Sequence, residues 1–166
     1  MEMAAVNIIQ GGLPWAMLGA ALAAGLAGIG SSIGVGLAGK AAAGVLSEDP
    51  TKFGTLLLLV ALPGTQGVYG FVVGFIVMLK LGFIGGSILA ITTAQGLQIL
   101  AACLPVGILG LMSAIHQGKV CTAGVGAAAK RKETAMNSLV FGVLVETYAV
   151  FGFLVSFLML NALKLS

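Results

Sequence analysis

Four stretches of the sequence are apolar over a length that exceeds the hydrocarbon core of a lipid bilayer. Leu13 to Gly39 and Phe53 to Leu79 carry no charged residue. Leu81 to Gly118 carries none either, and Thr134 to Leu163 carries only Glu146. About 20 apolar residues suffice to cross a core of about 30 Å. We therefore predict an all-α membrane protein with four transmembrane helices, called here the first to fourth spans.

The composition agrees with a membrane protein and not with a soluble domain. Only 8% of the residues are charged and 59% are hydrophobic, whereas a soluble domain has about 25% charged residues. The N-terminal sequence MEMAAVNIIQGG contains Glu2 and no basic residue, so we expect no cleaved signal peptide. Cys103 and Cys121 lie eighteen residues apart in the third span. They are too distant along one helix to pair, and we interpret them as packing residues.

The basic residues predict the orientation of the spans. Six of them surround the loops after the first and third spans, namely Lys40, Lys52, Lys119, Lys130, Arg131 and Lys132, while Lys80 and Lys164 belong to the other side. Cytoplasmic loops carry an excess of Lys and Arg, so we expect both hairpin loops in the cytoplasm and both termini outside. The AKRK sequence at 129–132 is explained by this anchoring, and we predict no nucleic-acid partner.

The two halves of the chain are repeats of one another. A shift of 82 residues places LPGTQGVYGFVVGF at 62–75 on LVETYAVFGFLVSF at 144–157, with seven identities in fourteen positions. The same shift places GIGSSIGVG at 28–36 on GLMSAIHQG at 110–118. We therefore predict a single membrane domain over 1–166 that consists of two tandem helical hairpins. The first repeat covers about 13–80 and the second about 88–163, with a loop at GFIGGS (82–87).

The composition of the spans predicts how they pack. The first and third spans are rich in Gly, Ala and Ser, whereas the second and fourth are rich in Leu, Val, Phe and Met. Small residues let helices approach closely in lipid, so we expect thin inner helices, bulky outer ones and a ring of copies. GVGLAG at 34–39 matches a dinucleotide-binding motif, but that motif follows a strand. These glycines lie within a long apolar stretch and are interpreted as packing residues.

Glu146 is the residue that most needs a functional explanation. An acidic side chain at the centre of a membrane helix costs about 2.5–3.5 kcal/mol on insertion scales. No basic residue lies between Lys132 and Lys164. The alignment of the repeats places Glu146 on Gly64 and Gln117 on Val35. Two hairpins therefore share one carboxylate.

Neutral oxygen donors are the candidate partners of Glu146. Thr65 or Gln66 lies three or four residues before Tyr69, which places them on one helix face. Pro63 lacks an N–H, so a carbonyl is freed in that turn. The third span offers the side-chain amide of Gln117. Such oxygens suit a hard monovalent cation. The alternative is that these side chains only hold the helices together, with Glu146 protonated.

Other functions compatible with the pattern differ in what they require of the acid. A proton carrier needs only the carboxylate and a hydrogen-bond partner. A small proton-coupled exporter of drugs would surround its acid with aromatic residues, and a structural channel would not need Glu146. His116 points about 100° away from Gln117 on a helix, so we expect it to face a pore or another helix and not to be a ligand.

Three motifs in this order on a duplicated hairpin carry a resemblance to a known family. LPGTQGVYGF at 62–71, HQGKV at 116–120 and LVETYAVFGF at 144–153 resemble the proteolipid (K or c) subunits of V-type ATPases, most closely the bacterial sodium-translocating branch. The resemblance implies a membrane rotor ring in which each Glu146 carries an ion, Na+ or alternatively H+. It further implies that the ligands are Glu146, side-chain oxygens of Thr65, Gln66 and Gln117, and the main-chain carbonyl of Leu62, with Tyr69 steadying Glu146.

The resemblance also implies the partners of the chain. These are copies of itself, membrane lipid, a stator subunit with a basic residue, and a central-stalk subunit at the cytoplasmic loops. ATP hydrolysis would belong to other polypeptides, so the chain itself is expected to be non-catalytic. The expected location is a bacterial plasma membrane.

Overall fold

The computed structural model describes residues 11–165, and four long helices account for most of them. The helices are α1 (Leu13–Glu48), α2 (Pro50–Lys80), α3 (Thr93–Lys130) and α4 (Thr134–Ala162). Each is long and apolar enough to cross a membrane, and residues 11–165 contain no strand. The prediction of an all-α protein with four spanning helices in two hairpins is confirmed. The expectation about Glu2 and its neighbours lies outside the described residues.

The helices extend past the uncharged stretches. α1 continues beyond Lys40 to Glu48, and α3 continues beyond Lys119 to Lys130. α3 begins with a capping box, in which the Gln95 N–H donates to the Thr92 hydroxyl at 3.2 Å and the Gln95 side chain accepts from the Thr92 N–H at 2.9 Å. The uncharged stretch therefore predicts the part of a helix that crosses the membrane. It does not predict where the helix ends.

α2 is an interrupted helix. It consists of a 3₁₀ turn, an α-helical segment, a second 3₁₀ turn and a longer α-helical segment, at Pro50–Lys52, Phe53–Ala61, Leu62–Gly64 and Thr65–Lys80. Pro63 in the second 3₁₀ turn has no N–H to donate to the preceding turn. The chain tightens there instead, and the Leu62 carbonyl accepts the N–H of Thr65. The longer segment that begins after this interruption carries Tyr69, which contacts Glu146 of α4.

The two hairpin loops meet at one end of the bundle. Lys52 Nζ donates to the carbonyl oxygen of Ala129 at 2.6 Å and lies 3.6 Å from the Asp49 carboxylate. A hydrogen bond from the Thr51 side chain lowers the pKa of Asp49 below its usual value. At the other end, the predicted loop at 82–87 is confirmed, and Gly82 adopts a φ of 77°, which favours glycine.

α1 and α3 lie side by side in the middle of the bundle, with α2 packed on α1 and α4 packed on α3. Glycines make this close approach possible. A Cβ added to Gly30 would lie 2.7 Å from the Cα of Leu111, and one added to Gly118 would overlap the backbone of Gly34. The expected contrast between thin and bulky helices is present within one copy. Large apolar side chains on α2 and α4 stay exposed, among them Phe71, Phe75, Phe141, Phe151 and Leu158.

Cys103 and Cys121 are both buried in α3 and are not joined to each other. Cys103 belongs to the apolar cluster at the loop 82–87 end, and Cys121 belongs to the cluster near the hairpin loops. Their interpretation as packing residues agrees with this burial.

Candidate ion-binding site

Glu146 lies in the middle of α4, half-buried, and its carboxylate accepts hydrogen bonds from two other helices. Tyr69 Oη of α2 donates to Oε1 at 2.7 Å. Gln117 Nε2 of α3 donates to Oε2 at 3.2 Å. The carboxylate is therefore held at the junction of α2, α3 and α4. This junction is where the sequence predicted its oxygen donors.

Two buried amides lie behind the carboxylate. Gln66 Nε2 donates to Gln117 Oε1 at 2.7 Å, and both side chains are fully buried, with 0% exposure. Gln117 Nε2 also donates to the carbonyl oxygen of Gly142 at 2.9 Å. A Cβ at Gly142 would lie 2.8 Å from Leu62 Cδ2, so the glycine leaves room for α2 beside the amides. The amides join α2 and α3 directly at the site.

The interruption of α2 supplies two further oxygens. Thr65 Oγ1 lies 3.1 Å from the Leu62 carbonyl oxygen, to which it donates, and 3.3 Å from Gln66 Oε1. A continuous α-helix would direct the Leu62 carbonyl along the helix axis towards residue 66, whereas the 3₁₀ turn at Pro63 pairs it with residue 65. Pro63 itself is buried against Gly34 of α1.

The six residues predicted for the site are thus brought together by one continuous set of hydrogen bonds. They are Leu62, Thr65, Gln66, Tyr69, Gln117 and Glu146. The ring of Tyr69 packs against Phe153, with centroids 5.7 Å apart, which fixes the direction of its hydroxyl. His116 is exposed and does not join these hydrogen bonds.

Ser113 of α3 is a member of the site that the sequence analysis counted only among the small packing residues. Its hydroxyl accepts from Gln66 Nε2 at 3.2 Å and donates to the carbonyl oxygen of Val145 at 2.9 Å. No difference between the repeats singles it out, because its counterpart in the first repeat, Ser31, is also a serine. Its counterpart Ser31 also spans two helices, since its hydroxyl accepts the N–H of Gly67 at 2.8 Å.

The polar groups around the Glu146 carboxylate are neutral hydroxyls, amides and a main-chain carbonyl. Within residues 11–165, the one salt bridge joins Lys52 and Asp49, so the carboxylate of Glu146 has no basic partner in the described part of the chain. A buried charge that lacks a counter-ion is costly. Within residues 11–165, no three His, Cys, Asp or Glu side chains lie close enough together to hold a metal ion. The polar groups of the site therefore suit a hard cation or a proton better than a transition metal.

Comparison with known proteins gives matches over most of the chain. The family model that describes the C subunit of ATP synthase matches twice, at residues 18–77 and 100–159. The K subunit of the V-type sodium ATPase of Enterococcus hirae is 46% identical over 154 residues, which cover 92% of this chain and 95% of that protein. The K subunit of the A-type ATP synthase of Methanocaldococcus jannaschii is 43% identical over 143 residues, which cover 86% of this chain and 60% of that protein.

Proposed function

Because the chain belongs to the family of ATP synthase C subunits, we propose that it is the ion-carrying rotor subunit of a V-type ATPase and that Glu146 carries Na+. The observation that carries this proposal is an intramembrane carboxylate that accepts hydrogen bonds from the Tyr69 hydroxyl and the Gln117 amide and has no basic partner among residues 11–165. The relative from Enterococcus hirae is a subunit of a sodium ATPase, which favours Na+ over H+.

The proposed ligands are one carboxylate and four neutral oxygens. Glu146 supplies the negative charge, Thr65, Gln66 and Gln117 supply side-chain oxygens, and Leu62 supplies its carbonyl. Na+ would cancel the charge of Glu146, so the loaded helix would enter lipid without the full cost of an ionised acid. Tyr69 would keep donating to the carboxylate and hold it in position.

The proposed role in the complex is transport without catalysis. Copies of the chain form a ring, and each Glu146 loads an ion from one half-channel, travels through lipid while neutralised, and releases the ion into the other half-channel. A basic residue of a stator subunit would pair with the emptied carboxylate. ATP hydrolysis would occur in other subunits, and each charge moved against 100 mV requires about 2.3 kcal/mol.

The proposed topology follows from the charged ends of the helices. The chain is an integral multi-pass membrane protein. Lys52, Lys130, Arg131 and Lys132 share the end where both hairpin loops meet, and we place this end in the cytoplasm. There it would contact a central-stalk subunit, with the termini outside, in a bacterial plasma membrane.

Carbodiimide labelling of the purified ring tests both the carrier and the ion. The reagent modifies a protonated buried carboxyl, so bound Na+ should slow the labelling of Glu146, with K+ at equal ionic strength as the control. Labelling that is insensitive to Na+ would support the proton alternative. Absence of labelling at Glu146, judged against a Glu146→Gln variant, would contradict the carrier role altogether. The exporter alternative predicts drug transport by the chain alone in liposomes, and we expect none.

A further inference from the structure

A groove between α2 and α4, called here the α2–α4 groove, lies apart from the residues of the ion site. It has a volume of about 510 Å³ and lies at the end of the bundle where the hairpin loops meet. Leu58, Met136 and Leu139 contribute to its apolar walls, and Lys132 and Glu133 line it as well. Two smaller grooves, of about 170 and 320 Å³, are lined by uncharged residues of α1 and α2. The α2–α4 groove thus differs from both in having charges beside an apolar wall.

The level of the groove in the membrane follows from the hydrogen bond between Tyr69 and Glu146, which puts these two residues at one height in the bundle. Glu146 lies in the middle of α4, so we take this height as the bilayer midplane. α4 begins at Thr134, twelve residues before Glu146, and Thr55 lies fourteen residues before Tyr69. At about 1.5 Å per residue, Thr134 and Thr55 lie about 18 and 21 Å from the midplane. The headgroups of a bilayer occupy roughly this level, from about 15 to about 22 Å.

The apolar walls of the groove lie deeper in the membrane. Leu59 of α2 lines the groove ten residues before Tyr69, and Leu139 of α4 lines it seven residues before Glu146. They lie about 15 and 10 Å from the midplane, within or at the edge of a hydrocarbon core about 30 Å thick. The groove therefore runs from the headgroup level into the acyl-chain level. A phospholipid has a polar part and an apolar part in the same order.

Two charged side chains at the headgroup level have no ion-pair partner in the described part of the chain. Lys132 and Glu133 are both exposed, and the one salt bridge found within residues 11–165 joins Lys52 and Asp49 instead. Lys52 also donates to the carbonyl oxygen of Ala129, so this lysine is already occupied. One cation and one anion in adjacent positions match a headgroup that itself carries both charges.

The two charges belong to the second repeat alone. By the shift of 82 residues, the counterparts of Lys132 and Glu133 are Pro50 and Thr51, which are uncharged. The counterpart of Thr55 is Asn137, which does not line the groove. A headgroup site built from these side chains therefore occurs once in each copy and not once in each hairpin.

We propose that the α2–α4 groove binds one phospholipid per copy and that the headgroup of this lipid is phosphoethanolamine. Its phosphate pairs with Lys132, its primary ammonium donates to the carboxylate of Glu133, and the Thr55 hydroxyl donates to an ester carbonyl. One acyl chain follows the apolar wall from Leu58 to Leu139. The proposal requires only that the chain lies in a membrane, so it does not depend on which ion the protein carries.

The charge of Glu133 distinguishes phosphoethanolamine from the other common headgroups. Choline has the same phosphate, but its nitrogen is fully methylated and has no N–H to donate to the carboxylate. A glycerol headgroup offers the phosphate to Lys132 and places no cation beside Glu133. We therefore expect the groove to prefer ethanolamine over choline and over glycerol when the acyl chains are the same.

Quenching of tryptophan fluorescence by brominated lipids tests this preference. Trp15 is the one tryptophan of the chain, so the double variant Trp15→Phe, Met136→Trp reports from the groove alone. Met136 is 63% exposed, and the fold should accept the change. The ring is reconstituted in phosphatidylcholine vesicles that contain a fixed fraction of one brominated lipid. We expect brominated phosphatidylethanolamine to have a relative association constant roughly two- to fivefold higher than brominated phosphatidylcholine, as for an exposed ion pair.

Two controls separate the groove from the bilayer. Adding Glu133→Gln to the same double variant should bring the ratio of the two association constants to about one, because the ammonium loses its acceptor. The variant Trp15→Phe, Val140→Trp places the reporter on the same helix outside the groove, at a residue that is 56% exposed, and should show no preference. Equal quenching by both lipids in the groove, stronger quenching by brominated phosphatidylglycerol, or the same preference in the Val140→Trp protein would each overturn the proposal.

Native mass spectrometry gives a second measurement without a reporter. The wild-type ring, purified with equal amounts of phosphatidylethanolamine and phosphatidylcholine, should retain one more phosphatidylethanolamine per copy than the variant Lys132→Ala, Glu133→Gln. Equal retention would overturn the proposal. Na+ protection of Glu146 is measured on the same proteins. Protection without a lipid preference refutes the lipid site and leaves the carrier function standing, and a lipid preference without protection does the reverse.

Discussion

Replacing Tyr69 by phenylalanine isolates one hydrogen bond at the site. The Tyr69 hydroxyl donates to Glu146 Oε1 at 2.7 Å, while its ring packs on Phe153 with centroids 5.7 Å apart. Tyr69→Phe removes the first interaction and keeps the second, so the bundle should fold as before. The hydroxyl donates to the carboxylate, so its loss should weaken the ionised form, which is the form proposed to bind Na+, relative to the protonated form that a carbodiimide modifies.

The size of the effect follows from the geometry. A hydrogen bond to a charged group contributes about 1.5–3 kcal/mol. Tyr69 is only half-buried, so we take the lower value of about 1.5 kcal/mol, which corresponds to roughly a tenfold change in an equilibrium constant. At fixed pH, the Na+ concentration that halves the labelling rate of Glu146 should therefore rise about tenfold in Tyr69→Phe.

The other tyrosine of the chain gives the matched control. Tyr148 is 61% exposed on α4, so Tyr148→Phe removes a hydroxyl without touching the carboxylate, and its half-protecting Na+ concentration should equal that of the wild type. Labelling is followed by mass spectrometry of the peptide that contains Glu146. A change of less than about twofold in Tyr69→Phe would refute the idea that this hydrogen bond sets the balance between Na+ and H+.

Three further predictions concern single side chains. Thr65→Ala removes a proposed ligand and should weaken Na+ protection of Glu146 by about tenfold or more, whereas Thr147→Ala, at the repeat counterpart, should leave it unchanged. Ser113→Ala removes the hydroxyl that donates to the Val145 carbonyl and leaves Gln66 with one partner fewer, so protection should weaken by roughly fivefold, a loss of about 1 kcal/mol, when titrated with Na+. Gly118→Val forces α3 away from α1 and should lower the thermal unfolding temperature in detergent by several degrees. Gly126→Val is the control, because space is open there, and it should change the unfolding temperature little. Equal effects of the two variants would contradict the close packing of α1 and α3.

The spans were predictable because lipid imposes one strong requirement on a chain, namely about 20 apolar residues in a row. The helix ends were not. Lys40 and Lys119 lie inside α1 and α3, since a helix can continue into water once its caps and loop contacts allow it. The capping box at Thr92 marks the start of α3, and the hydrogen bond from Lys52 to Ala129, which joins residues distant in sequence, lies next to its end.

Two residues of the site were predictable because the two repeats differ at their positions. Glu146 and Gln117 stand out because their counterparts are Gly64 and Val35, which cannot take their place. Ser113 does not stand out in this way, because its counterpart is also a serine and serines are common where membrane helices approach closely. Whether such a hydroxyl faces a ligand depends on how α3 is rotated against α2, which is fixed by the packing of the glycines and not by a local pattern.

Gly64 sets the energetic character of the proposed rotor. A second acid at that position would add another carboxylate to each copy, at an insertion cost of about 2.5–3.5 kcal/mol, and would double the ions carried in one turn of a ring of given size. With one acid per two hairpins, the same number of ATP molecules per turn drives half as many ions. Each ion then receives twice the free energy, and since 100 mV costs about 2.3 kcal/mol per charge, the rotor can work against twice the potential. The glycine thus favours a pump that builds a steep gradient over one that moves many ions.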